Sequence, residues 1–262
     1  YRAILPSPLR RALGAALRER PGVRAEGALR RRLALLAAAG ARPAAEAFVY
    51  DRAFRRLRAQ AYTPSLLGAL GEWHPDALYR DAWARAVAGD DVDRALYGDI
   101  STYLPDQLLA KADVSSMAHG LETRAPFLGR EMLEFAATLP TSLRLKGWTT
   151  KYLLKRVAER YVPREALHRR KQGFVMPASD WLRGDLAPFA RATLDTARFH
   201  ERGWIRPESV RRLLAEHTSR RRDWGQQLWT LLVLEIWARL ALDRDLAPGD
   251  PLDVGLLAAS AR

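Results

Sequence analysis

Apolar residues recur at helical spacing along most of the 262-residue chain. Leu9 to Arg18 and Leu29 to Ala39 set Leu and Ala three and four positions apart with Arg on the remaining positions, which predicts two amphipathic helices. Gly40 and Pro43 punctuate the second. Thr63-Pro64 reads as an N-cap followed by proline at the first helical position. Pro75 and the Ala88-Gly89-Asp90-Asp91 cluster mark further loops. Asp106 to His119 predicts a helix that stops at Gly120. Pro126 then pushes Ala125 to extended geometry, and a short helix over Arg130 to Ala137 ends before Pro140. Thr149 is expected to cap a helix from Thr150 to about Tyr161, closed by Pro163. His168 to Pro177 predicts a loop around Gly173. Pro207 opens a helix over Glu208 to His217, and the last strong helix runs from Gln226 to Leu242. Alternating β-branched runs are missing, so few or no strands are expected. The Pro/Gly/Ala-rich tail over 247–262 reads as a loose end.

The longest apolar stretch, Leu228 to Leu242, carries Glu235 and Arg239. Ionised groups inside so short a run argue for a buried helix and against a membrane span. No apolar core of a targeting peptide stands at Tyr1 to Gly14. Hydrophobic residues make up 48% and charged residues 28%, the balance of a soluble globular chain. Cysteine is absent, which excludes disulfides, thiolate metal sites and a cysteine nucleophile within these residues, and fits a reducing cytoplasm. The five histidines show no metal-ligand spacing, so no metal site is expected. The formal charge is +13, and Lys occurs only at positions 111, 146, 151, 155 and 171. A basic surface for nucleic acid or phosphates is one reading of that charge. The 30 acidic residues interspersed among the bases favour the other, an Arg-, Ala- and Leu-rich composition of a GC-rich genome.

None of the short motifs GxSxG, GxGxxG or GxxxxGK[ST] occurs. Chemistry enters through longer blocks. Tyr103-Leu-Pro-Asp-Gln-Leu-Leu-Ala-Lys-Ala-Asp113, then Ser116-Met-Ala-His-Gly-Leu-Glu122-Thr-Arg124-Ala-Pro-Phe-Leu128, closely resembles the asparagine synthetases and their YLPxxxLxKxDxxSMAxxLExRxPFLD pattern. Thr150-Lys151-Tyr-Leu-Leu-Lys155 is similar to a K-x-x-L-R/K helix of that family, and Arg169-Arg-Lys171-Gln-Gly-Phe174 to its RxKxGF loop. Ser179 to Gly184 and Leu228 to Trp237 agree as well. The resemblance is strongest over 97–239. Residues 1–96 are compatible with it but carry no chemistry of their own.

The resemblance implies a mainly α chain: the helical C-terminal portion of an α/β ATP-pyrophosphatase (PP-loop, adenine nucleotide alpha hydrolase-like) synthetase domain over 1–246. It implies aspartate, ATP and glutamine-derived ammonia as substrates, Mg2+ with the ATP, and an acyl-adenylate intermediate. A homodimer and a cytoplasmic location go with the same expectation. Lys171 is the implied catalytic cation, meeting ATP and the departing pyrophosphate, whose charge fixed cations stabilise. Gly173 would let that loop bend. The alternative is a solvated basic loop. Lys151 is read either as a second phosphate or carboxylate contact near a helix N-terminus or as a surface lysine. Asp113, Glu122 and Arg124 either shape the substrate or nucleotide pocket or form a buried ion-pair network, since alternate residues of extended chain share a face.

One departure stands out. Gly129 replaces the Asp of the family's PFLD, removing a helix cap before Arg130. The glutaminase half with its nucleophilic Cys, the SGGxDS pyrophosphate loop and an SGDGxDE-like segment are all missing from these residues. Together with Tyr1 at the start, that gives the expectation of a piece cut from a longer synthetase. Two other readings are an amidotransferase or cyclising ligase for another carboxylate, and a basic helical module that binds nucleic acid.

Overall fold

The computed structural model describes residues 44–49, 58–169, 176–247 and 249, together with Pro8 and Ala12. The helices expected over 9–18 and 29–39 lie outside the described residues, Ala12 excepted, as does the tail beyond 249. The described chain is mainly helical, and it falls into two compact units, one built from 44–49 and 75–169, the other from 58–74 and 176–249.

In the first unit, the helices Ala44–Val49, Asp76–Arg85 and Asp91–Ser101 pack around Phe48. The Phe48 ring meets Tyr79 edge-on at 6.2 Å and Trp83 at 5.5 Å. A Cβ on Gly98 would stand 2.8 Å from that ring, so the glycine is required by close approach. Asp90 caps its helix by accepting from Val92 N at 2.8 Å and Asp93 N at 2.9 Å. Thr141 Oγ1 also donates to Asp90 at 2.6 Å, and these hydrogen bonds hold the carboxyl below its ordinary range. Beyond Thr102 a π-helical turn, Leu104–Leu109, runs into the helix Ala110–Met117. Its stop is the one expected: Gly120 takes φ +65°, Gly120 N donates to Met117 O, and Leu121 N reaches Ser116 O at 3.0 Å. Ala125 is extended and Arg130–Thr138 is helical, both as expected.

The expectation for Thr149 fails. Thr149 and Thr150 are a short strand, paired antiparallel with Leu145–Lys146 around a turn at Gly147. The helix begins only at Tyr152 and runs to Ala158, so Thr149 caps nothing. Pairing of two residues a side is too short to leave an alternating pattern in the sequence.

The second unit holds the buried hydrophobic cluster, which includes Leu182, Leu194, Phe199, Leu213, Leu228 and Leu231. The helix Gly225–Ala238 is packed by Ala178–Trp181, Ala187–Leu194 and Pro207–Thr218. Thr63 caps Pro64–Leu70 as expected, accepting from Leu66 N at 3.1 Å. Its neighbours bridge to Trp204–Arg206, with Arg206 N donating to Ala61 O at 2.8 Å. A second node surrounds His217, which is fully buried. Trp224 N donates to His217 Nδ1 at 3.0 Å, leaving Nε2–H to donate to Ser179 O at 3.0 Å. These bonds require the neutral tautomer, and burial, seconded by the charge of Arg183, pushes the imidazole below its ordinary value. Gly225 is needed here, since a Cβ would meet the Ser179 backbone at 2.7 Å.

The apolar run over 228–242 is indeed buried helix, and its charges are satisfied inside it. Glu235 and Arg239 are both fully buried, with Arg239 Nε donating to Glu235 at 2.8 Å. Arg202 adds two bonds to the same carboxylate at 2.6 and 3.2 Å and two to Asp243 at 2.5 and 3.3 Å. Arg198 pairs with Asp243 and Asp245. Burial works against the Arg202 charge, but its bonds to Glu235 and Asp243 outweigh that and raise its pKa. No helix among the described residues is long and apolar enough to cross a membrane.

Glu235→Ala would leave the buried Arg239 without that carboxylate, and should cost about 3–5 kcal/mol of stability. Urea denaturation followed by tryptophan fluorescence reads this; an unchanged midpoint would refute it. Acid should act through His217. Its folded pKa is depressed, so the unfolded chain binds the proton more readily. The stabilisation is complete above the ordinary value of 6.5 and is lost as pH falls below it. Urea midpoints taken from about pH 8 to 5 should show this slope in the parent and not in His217→Gln.

Candidate functional site

All the family-like residues up to Arg169 lie in the first unit, on the segment that runs from Tyr103 to Leu128 and the hairpin and helix over 145–158. Asp113 sits midway along Ala110–Met117 and is exposed. Among the described residues its carboxylate has no partner, and only its main-chain oxygen accepts, from Ser116 Oγ at 3.1 Å. Glu122 and Arg124 do share a face of the extended segment: Arg124 Nη2 meets Glu122 Oε2 at 2.5 Å. The pair stands in solvent, with side chains 85% and 69% accessible for Arg and Glu, and Asp113 does not join it. The buried three-residue network is therefore not formed within this chain, and an ion pair so exposed contributes little to stability. The pair points a guanidinium and a carboxylate into solvent.

Lys151 does not occupy the first turn of its helix. It stands one position before it, with φ +55° and ψ +40°, no capping bond and an exposed side chain. Left-handed geometry is costly for a residue with a Cβ and concentrates at functional positions. Lys146, across the hairpin, places its ammonium 4.8 Å from the Tyr152 ring centre and 3.3 Å from the Tyr152 hydroxyl. Sequence reasoning missed this hairpin. Its one signal was Gly147-Trp148 between two residues that pair, the Gly-X form of a two-residue turn. Lys171 and Gly173 lie outside the described residues. The chain approaching them is anchored, since His168 Nε2 and Arg156 both meet the Glu159 carboxylate, at 3.2 and 2.9 Å.

At the Gly129 departure, the helix Arg130–Thr138 starts with no side-chain cap. An open depression of about 570 Å3 lies there, lined by Pro126, Gly129, Arg130, Glu131, Met132 and Phe135. None of the candidate site residues lines it. Among the described residues no group of three His or acidic side chains could hold a metal ion.

The candidate residues among those described are thus the exposed Lys151, the solvent-facing Glu122–Arg124 pair and the unpaired carboxylate of Asp113, carried on a helical scaffold. A family model described as asparagine synthase matches residues 2–239, and the chain belongs to that family. The match takes in the first hundred residues, beyond the reach of the motif blocks. A Bacillus subtilis protein named asparagine synthetase (glutamine-hydrolyzing) 1 is 31% identical over 183 residues, 68% of this chain and 29% of that protein. A Mycobacterium tuberculosis protein named "putative asparagine synthetase (glutamine-hydrolyzing)" is 32% identical over 246 residues, 93% of this chain and 36% of that protein. The amidase chry2 of Gibberella zeae is 27% identical over 124 residues, 45% of this chain and 16% of its own length. No solved structure matches significantly. The chain therefore spans about a third of the length of the two synthetases compared.

Gly129 has φ −60° and ψ 141°, open to any residue, and a Cβ there would make an ordinary 3.5 Å contact with Pro126 O. Gly129→Asp should accordingly be tolerated and stabilise the first unit by a few tenths of a kcal/mol, roughly 0.3–0.5. Thermal denaturation checks this; a marked loss of stability would mean that the glycine is needed for more than its backbone.

Proposed function

We propose that this chain supplies the helical, C-terminal part of a PP-loop synthetase site that makes asparagine from aspartate, ATP and glutamine-derived ammonia. The observation that carries the reading is the ordered Tyr103–Leu128 block inside a family match over 2–239. The packing supports the partial character of the site. Among the described residues of the first unit the only buried apolar side chains are Ala82 and Ala86, while Leu108, Val114, Met117, Phe127, Phe135 and Val157 are exposed. Such a surface suits helices that pack against a further layer, here the α/β half with its phosphate loop. This chain contains no Cys, so in this reading the nucleophile that frees ammonia from glutamine lies on another part of the synthetase.

In this reading the aspartate β-carboxylate attacks the α-phosphorus of ATP, and pyrophosphate leaves. Ammonia then attacks the acyl carbon, and AMP leaves with the electron pair of the broken acyl–oxygen bond. Lys171 neutralises charge that grows on the phosphate oxygens as pyrophosphate departs, and Lys151 makes a second contact with the same anion. A lysine suits this work as a compact point charge on a flexible stem. Glu122 and Arg124 orient the nucleotide or the carboxylate substrate. Magnesium enters as the companion of ATP. Among the described residues no group of three His or acidic side chains could hold it. A cytoplasmic homodimer is the setting that accords with this reading.

A second reading keeps the scaffold and changes the acid. Gly129 in place of Asp and the similarity to an amidase favour a synthetase-like enzyme for another carboxylate. The net charge of +13 keeps a nucleic-acid module as the competing class; that module would bind mixed-sequence duplex and release it steeply with salt.

Pyrophosphate release from ATP with added ammonia separates these readings, measured on the chain alone and on the complete gene product. Aspartate-dependent release in the complete protein only is the expected outcome. No release with aspartate, but release with another carboxylate, would replace the substrate. In the complete protein, Lys171→Ala should lower adenylate formation at least about a hundredfold while glutamine hydrolysis continues; normal synthetase rates would refute its role.

A further inference from the structure

Ser179 stands eight residues after Lys171 and is the first strongly held residue of the described chain that follows it. The helix it lies on, Ala178–Trp181, is a single turn and too short to hold itself. Ser179 is fixed from two sides. Its Oγ donates to Asp223 Oδ1 at 2.8 Å, and the same oxygen accepts from Gly225 N at 3.0 Å. Its main-chain oxygen accepts from His217 Nε2 at 3.0 Å. Arg183 braces the node, with its guanidinium 3.4 Å from Asp223 and its Nε donating to His217 O at 3.3 Å. Burial works against the Asp223 charge, but the bonds from Gly225 and Ser179 and the charge of Arg183 outweigh it and hold the carboxyl below its ordinary range. The two helices behind these groups, Pro207–Thr218 and Gly225–Ala238, bring Leu213, Leu214 and Leu228 into the buried apolar cluster. One helical turn is thereby bolted to the core of the second unit.

We propose that Ser179, fixed by Asp223 and His217, is a positioning residue: it restrains the chain that leaves Lys171 and so places that ammonium for the departure of pyrophosphate. Ser179 touches neither substrate nor nucleotide in this scheme and acts through Lys171. The inference rests on the synthetase reading for the reaction that is served, and on the node alone for the restraint. A displacement of about 1 Å at a reacting centre costs up to about a hundredfold in rate, so one hydroxyl is enough to matter. The loss falls on kcat and not on KM, because the charge that Lys171 meets grows only as the transition state forms.

Two measurements on the complete protein test this: steady-state pyrophosphate release, and early tryptic cuts after Arg169, Arg170 and Lys171 read by mass spectrometry. Ser179→Ala should lower kcat for release about tenfold with the ATP KM within about twofold of the parent. It should speed those cuts about threefold, the scale of one hydrogen bond lost from the folded form. Asp223→Ala should act in the same direction, and Asp223→Asn, which keeps an oxygen for Ser179 and Gly225, should stay close to the parent. Ser219→Ala removes a hydroxyl that bonds only within its own helix end, and should change neither readout. Parent-like kcat in Ser179→Ala, a raised ATP KM with kcat intact, equal damage in Asp223→Asn and Asp223→Ala, or an equal effect of Ser219→Ala would overturn the proposal. Its failure is separable from that of the synthetase reading. Release by the parent with unchanged kcat and unchanged cuts in Ser179→Ala sinks the positioning role alone. No release by the parent with any carboxylate sinks the reading, and the tryptic rates then decide the restraint by themselves.

Discussion

The buried carboxylate of Glu235 is the point on which the second unit depends. A lone ionised carboxylate inside protein is several kcal/mol unfavourable, and here it is made tolerable by Arg239 on its own helix and Arg202 from the turn after Ala197–Glu201. Arg202 also binds Asp243, past the end of the same helix, so three stretches of chain are fixed at once. The apolar cluster around Leu228 and Leu231 gives the unit its mass. The ion cluster favours this rotation of the helix Gly225–Ala238, because a turn about its axis would part Glu235 from Arg202. Hydrophobic contact is forgiving of such rotation; a fully desolvated charge is not.

The first unit is organised differently. Its fixed points are local: the Asp90 cap with Thr141, the Gly120 stop, the Phe48 ring on Gly98. Each orders a few residues and none excludes much water. The candidate site residues up to Lys151 sit on this lightly buried part, and the large apolar core, with the family-like stretches Ser179 to Gly184 and Leu228 to Trp237, belongs to the other. Segments with few buried contacts open at low free energy, and ligand-handling elements are drawn from them. A synthetase must admit ATP and aspartate and then close over an adenylate, so this division of labour suits the proposed reaction.

Much of the helical plan was legible because its signals are local. Thr63-Pro64, Gly120 and Pro126 each act through one backbone preference, and each appears where expected. Glu235 and Arg239 in an apolar run were correctly taken as buried helix, though Arg202, 33 residues away, could not be foreseen as the partner. The misreading at Thr149 came from a threonine that suits a cap and a strand equally, with the hairpin decided by Gly147 and by pairing too brief to leave a pattern. At the site, Glu122 and Arg124 were placed together by strand alternation, and that held. Their exposure was not legible, since the sequence of a segment does not say whether the layer it packs against belongs to the same stretch of chain. Lys171, the residue to which the resemblance gives most chemistry, lies outside the described residues, and its role rests on the motif.

Arginine and lysine suit different work in this chain. Arginine binds a carboxylate in a fixed two-pronged geometry and is weakly hydrated, so it is drawn into pairs, as Arg144, Arg156 and Arg202 all are. In the proposed reaction Lys171 and Lys151 would instead meet a triphosphate that is cleaved and then released as pyrophosphate. For that task a geometry that locks gains nothing, and an ammonium on a four-carbon stem keeps its attraction while the oxygens move.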